Sequence, residues 1–161
     1  MTDAILTRQS VRKFRPDKLT EPEVTQLIAA FNAAPCGMHQ TDVMQASVIK
    51  DDAYLNKIED ACDHACYDAP LLFVIATKAD SQFGERDASV AAENIMVEAN
   101  SIGLGSVYVM GAAFSIDKDV ALKKKLGIDE GYKIQVIVSV GYPKEKPEAE
   151  DRSNRYKVTI K

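Results

Sequence analysis

Tryptophan is absent from this chain, histidine occurs twice and cysteine three times in 161 residues. Each scarcity removes a class of chemistry. His39 and His64 lie in separate segments, so a histidine-rich metal centre has no ligand set to draw on. Three cysteines, without an apolar secretory stretch near the start, do not make a disulfide framework; the reading is a reduced, cytoplasmic protein. The longest uninterrupted apolar run, Leu71 to Ala76, is too short for a bilayer, so no membrane partner is expected. There is no G-x-x-x-x-G-K loop and no G-x-G-x-x-G following a strand, which excludes the usual nucleotide-phosphate turns. A net charge of −4 argues against nucleic acid. Linker-like Pro/Gly/Ser stretches and repeats are also missing, so residues 1–161 read as one domain.

What is present begins with an imbalance. Arg8, Arg12, Lys13, Arg15 and Lys18 face only Asp3 and Asp17 in the first eighteen residues of an otherwise acidic chain. Within them runs Arg8-Gln9-Ser10-Val11-Arg12-Lys13-Phe14. On a helical stretch Arg8 and Arg12 share a face. Two guanidiniums and the Ser10 hydroxyl are suited to gripping a phosphate by charge-assisted hydrogen bonds. The same residues would also make an ordinary solvated basic face.

Patterning predicts helices over residues 3–9, 21–33, 51–66, 86–102 and 115–125, and strands over 46–50, 71–76, 105–110 and 134–140. Thr20 caps the second helix ahead of Pro22, and Gly103 closes the long one. A last alternating run, Tyr156 to Ile160, would add to its own sheet or to that of a partner. Helices interleaved with strands make a layered α+β or α/β domain. Cys62 and Cys66 share a helical face, but His64 points away from it, so buried free thiols are the reading there and no metal is expected. Cys36 and His39 are close in sequence, a spacing that alone does not make a catalytic thiol. Asp51-Asp52 and Glu150-Asp151 read as caps and solvated charges.

Four segments taken in order resemble the FMN-dependent nitroreductase family in its short form. They are Arg8 to Phe14; Ala33 to Thr41, similar to the family's A-P-S-G-x-N-x-Q-P-W loop; Ala91 to Asn94 with Gly103 to Gly111; and Val140 to Pro143 with Arg152 and Arg155 beyond. The resemblance implies an α+β three-layer domain. Its central mixed, mostly antiparallel sheet is flanked by helices, and its C-terminal arm is exchanged with the partner of a homodimer. Arg8 and Ser10 would hold the FMN phosphate beside Gln9, completed by Arg152 or Arg155. Arg12 would lie near the N1/O2 edge of the flavin, where a cation favours the reduced state. Val109, Met110 and Gly111 would run beside the ring. Pro35, Cys36, Gly37, His39 and Thr41 would reach the flavin of the other subunit. Three departures stand in that loop: Cys36 replaces the family's serine, His39 its asparagine, and Thr41-Asp42-Val43 its Q-P-W. The implied activity takes a hydride from NADH or NADPH and passes electrons to a small organic acceptor, a nitroaromatic or quinone, in ping-pong fashion. No residue is nominated as a catalytic acid. The alternative is a flavin-binding or redox-responsive protein with little turnover.

Overall fold

The computed structural model describes residues 3–161. Its elements are α1 (Ala4–Thr7), α2 (Glu21–Asn32), β1 (Met44–Ile49), α3 (Asp52–Ala61), β2 (Leu71–Lys78), α4 (Gly84–Ser101), β3 (Gly105–Val109), α5 (Met110–Asp117), α6 (Val120–Lys125) and β4 (Tyr132–Gly141), with a short 3-10 turn at Gly37–His39. None of the described helices is long and apolar enough to cross a membrane.

The four strands form one antiparallel sheet in the order β1-β2-β4-β3. A single parallel bridge, Ser10 to Ser106, adds the N-terminal segment beside β3. β2 is buried over seven of its eight residues because helices cover both faces of the sheet. On one face Leu71, Phe73, Ile75, Val136 and Val138 pack against α2 and α4. On the other, Leu72, Val74, Ile134 and Ile137 pack against α3, α5 and α6. Ile134 and Val136 would share a face in a regular strand. The register shift opposite Ile75 and Ala76 leaves Gln135 as an extra residue and turns them to opposite faces.

The long helix α4 lies close to the sheet because its inner stripe is mostly alanine: Ala88, Ala91, Ala92 and Ala99, with Ile95 and Met96. Gly103 ends it with a φ of 83°, which lets the Leu104 N–H bond back to the Ala99 carbonyl at 2.8 Å. At the start of α2 the expected cap is a full capping box between Thr20 and Glu23. Glu23 also accepts from the Tyr142 hydroxyl, tying α2 to the end of β4.

Several boundaries differ from the pattern-based reading. The first helix ends at Thr7, not Gln9, so Arg8 and Arg12 lie outside any helix and do not share a helical face. The third helix stops at Ala61, not near Cys66, because the buried Glu59 carboxylate accepts the N–H groups of Cys66 and Asp68 and draws the chain into a turn. The strand expected to Met110 ends at Val109, where α5 starts directly. The helix expected over 115–125 is two helices, the second capped by Asp119. Tyr156, Val158 and Ile160 join no strand among the described residues and stand exposed.

Candidate functional site

The basic N-terminal segment is held across the ends of β3 and β4. Val11 donates its N–H to the Ser106 carbonyl at 2.9 Å, and the Arg15 N–H bonds to the Tyr142 carbonyl at 2.8 Å. Between them Val11 and Phe14 turn into the core while Ser10, Arg12 and Lys13 turn outward. Glycine is required at 105: a Cβ there would stand 2.8 Å from the Val11 side chain. The close approach of Val11 to β3 therefore sets where Arg8, Ser10 and Arg12 point.

Arg8 is half-buried, and its Nε pairs with Glu93 of α4 at 3.1 Å. Arg152 reaches over from the C-terminal tail and donates to the Arg8 carbonyl at 2.5 Å. The Gln9 amide bonds to the Glu148 carbonyl. Glu150 joins Arg152 (3.1 Å) and Arg155 (2.6 Å) in one clamp. Those two guanidiniums, Arg155 foremost, hold the Glu150 carboxyl below the usual carboxylate range. Sequence reasoning left open which of Arg152 and Arg155 would complete a phosphate site with Arg8. Arg152 is the one that touches Arg8, through its backbone carbonyl, and Arg155 is one carboxylate away. Beside this cluster opens a cleft of about 810 Å³ lined by Arg8, Gln9, Gly105, Ser106, Lys146 and Glu150 among others. Arg12, Lys13 and Lys146 enter no ion pair among the described residues.

Val109, Met110 and Gly111 lie at the far end of β3, four residues or about 13 Å of strand from Gly105. No side chain caps α5 at Val109, so its first-turn N–H groups are left for an external acceptor. Met110 and Phe114 expose about half their surface there, and the Gly111 Cα has open space around it. The result is an apolar shelf edged with backbone donors.

Pro35, Cys36, Gly37, His39 and Thr41 form a third patch. None of them lines the cleft of their own chain. The Gly37 N–H bonds to Asp87 Oδ1 at 3.0 Å, and a Cβ on Gly37 would lie 2.5 Å from Phe83 Cγ, so the loop is pinned to the first turn of α4. Met38 and His39 both take left-handed backbone angles, with φ of 55°, and project outward. Asp87, Glu93, Lys146 and the clamping role of Glu150 were not anticipated. The bonds of the first two join residues 50 and 85 positions apart, and no local pattern signals such pairs.

The model of the nitroreductase family matches residues 40–142. A relative from Archaeoglobus fulgidus, bearing the provisional name NADH dehydrogenase/NAD(P)H nitroreductase, is 28% identical over 93% of this chain and 91% of its own length. A nitroreductase with bound FMN from Bacteroides fragilis superposes with a TM-score of 0.86 at 19% identity, over 98% of this chain and 97% of that one. An NADPH:FMN oxidoreductase from Vibrio harveyi, complexed with NAD+, superposes at 0.78 with 22% identity over 98% of this chain and 78% of that one. With a match over most of its length and the same layered fold, the chain belongs to the nitroreductase family.

Proposed function

We propose that this chain is an FMN-dependent NAD(P)H oxidoreductase that works as a homodimer and reduces a small organic acceptor, such as a nitroaromatic or quinone, by alternate oxidation and reduction. The observation that carries this reading is that Arg152 of the tail reaches the Arg8 backbone at one end of β3, with Arg155 on the same carboxylate, while an uncapped helix start and an apolar shelf lie at the other end. That donor set fits a flavin mononucleotide: guanidiniums for a phosphate, backbone N–H groups for a ring edge, and apolar side chains for its face.

The chemistry such a cofactor supplies is hydride acceptance from a reduced nicotinamide and onward transfer to an acceptor. The protein supplies position and charge. Arg8, Arg152 and Arg155 bind the phosphate, with Gln9 and Ser10 alongside. Arg12, exposed and without a carboxylate partner, stands ready for negative charge on the ring edge. Met110 and Phe114 shield one face from water. The N–H groups of Met110 and Gly111 orient the ring. The Pro35–Thr41 loop, which does not enter its own cleft, serves the cleft of a second copy. His39 and Cys36 then stand at the ring edge in place of the family's amide and hydroxyl.

The test is direct. Purified protein shows flavin absorbance, NADH or NADPH bleaches it without oxygen, and a quinone or nitroaromatic restores it. Colourless protein that takes up no added FMN overturns the reading. Bleaching without reoxidation by any acceptor makes the chain a flavin binder with little turnover.

A further inference from the structure

On the α3 side of the sheet a set of acidic and soft donors is buried together. The sulfurs of Cys62 and Cys66 are 3.9 Å apart. A Glu59 carboxylate oxygen lies within 4.8 Å of both. Glu59, Cys62 and Cys66 are 4%, 8% and 0% exposed. The charged groups facing Glu59 are Asp68 and His64, which pair with each other at the surface. No lysine or arginine pairs with Glu59 among the described residues. Beside Cys66, near enough to interact with its thiol, stands the hydroxyl of Ser139, fully buried on β4 and with no well-formed hydrogen bond among the described residues.

Elsewhere in this apolar layer the residues are Ile58, Leu55, Leu72, Val107 and their like. Placing a carboxylate, two thiols and an orphan hydroxyl among them is costly unless something offsets it. Two backbone N–H groups reach Glu59 and offset part. The backbone is also bent to make the cluster: Asp63, His64, Tyr67 and Asp68 all take left-handed angles, with φ between 51° and 63°. Non-glycine residues adopt that region reluctantly.

We propose that Glu59, Cys62 and Cys66 bind a thiophilic divalent cation of the zinc type, with the Ser139 hydroxyl at the fourth corner. Two sulfurs each about 2.3 Å from a tetrahedral ion stand about 3.8 Å apart, close to the separation found here. The dication balances most of the charge of one carboxylate and two thiolates. Binding releases the two thiol protons to solvent. The burial of all three ligands in an apolar layer, with the Ser139 hydroxyl closing off the remaining side, marks this as a structural site. It staples the end of α3 and the turn at 62–68 to β4. The pattern, Glu-x-x-Cys-x-x-x-Cys, is not that of common zinc motifs: its first ligand sits in a helix, the second caps that helix and the third lies in the turn that follows.

The experiment uses the full flavin-loaded chain, reduced, stripped with chelator, and titrated with Zn2+ or Co2+ alone. One equivalent of Zn2+ binds and raises the melting temperature. Co2+ produces sulfur-to-cobalt charge-transfer absorption in the difference spectrum, and Zn2+ displaces it. Cys62→Ser and Cys66→Ser each lose that absorption and weaken Zn2+ binding by about tenfold or more. Glu59→Gln weakens binding with the sulfur absorption retained. Flavin content stays constant throughout, which separates this test from that of the proposed function. Less than one equivalent of Zn2+, cobalt spectra without sulfur absorption, or wild-type Zn2+ affinity in Cys62→Ser overturns the site. So does a Cys62–Cys66 disulfide in the protein as purified.

Discussion

Among single residues, the arginines in and beside the cleft each already hold a carboxylate. Arg8 faces Glu93, and Arg152 and Arg155 share Glu150. A phosphate entering this cluster meets guanidiniums that are oriented but not free, and one of the acids must yield. Two substitutions therefore have opposite signs. Arg8→Ala removes a charge-assisted contact, and FMN affinity falls by about 1.5–3 kcal/mol, roughly ten- to more than a hundredfold. Glu150→Gln removes a competitor, and FMN affinity rises several-fold. Both are read by quenching of FMN fluorescence during titration of flavin-free protein. Equal losses in the two variants would mean that Glu150 orients the arginines more than it competes for them. The pH dependence follows from the lowered pKa of Glu150. A depressed carboxyl contributes its pairing above its unfolded pKa and loses it as pH falls through the folded value. The clamp therefore persists through neutrality and mild acid, and opens only below the ordinary glutamate value of about 4.3.

The elements show what was legible in the sequence. α2 was marked by Thr20, Pro22 and Glu23, and the end of α4 by Gly103, because caps are local chemistry written within four residues. The start of α5 was hidden: Val109-Met110-Gly111 continues an apolar run and carries no capping side chain, so it reads as more strand. The early stop of α3 was hidden for another reason. Glu59 looks like any surface helix glutamate until the chain folds back over it. The site was legible as a set of segments but not as a geometry, since strand docking, not spacing, brings Arg8 to Arg152. That docking gives a prediction at this scale. Gly105→Ala places a methyl against Val11 and pushes the N-terminal segment off β3. Overpacking of this kind costs about 1–3 kcal/mol. Thermal unfolding reports the loss, and flavin content falls with it because Arg8 and Ser10 move with Val11. A variant of wild-type stability and flavin content would show that the segment re-seats without Val11.

For the whole molecule, the question is what the chain leaves unfinished. The Pro35–Thr41 patch is fastened to α4 yet faces no cleft of its own. Tyr156, Val158 and Ile160 stand at 79%, 80% and 94% exposure, alternating as a strand does but pairing with no strand among the described residues. Apolar side chains so exposed on a terminal segment are costly in water and are covered when a second copy supplies the surface. Met38, at 78% exposure on the same loop as His39, belongs to the same unfinished surface. The proposed homodimer would account for both features together: the arm would cover its partner, and the loop would close the partner's cleft. Deleting residues 156–161 leaves Arg152 and Arg155 in place and removes only the arm. Light scattering of the truncated protein is expected to give the monomer mass, with flavin content reduced because each cleft loses the loop of its neighbour. A truncated protein that stays dimeric and keeps its flavin would assign the interface to the helices instead. A monomer that keeps its flavin would show that the Arg8 end of the cleft suffices to hold the cofactor.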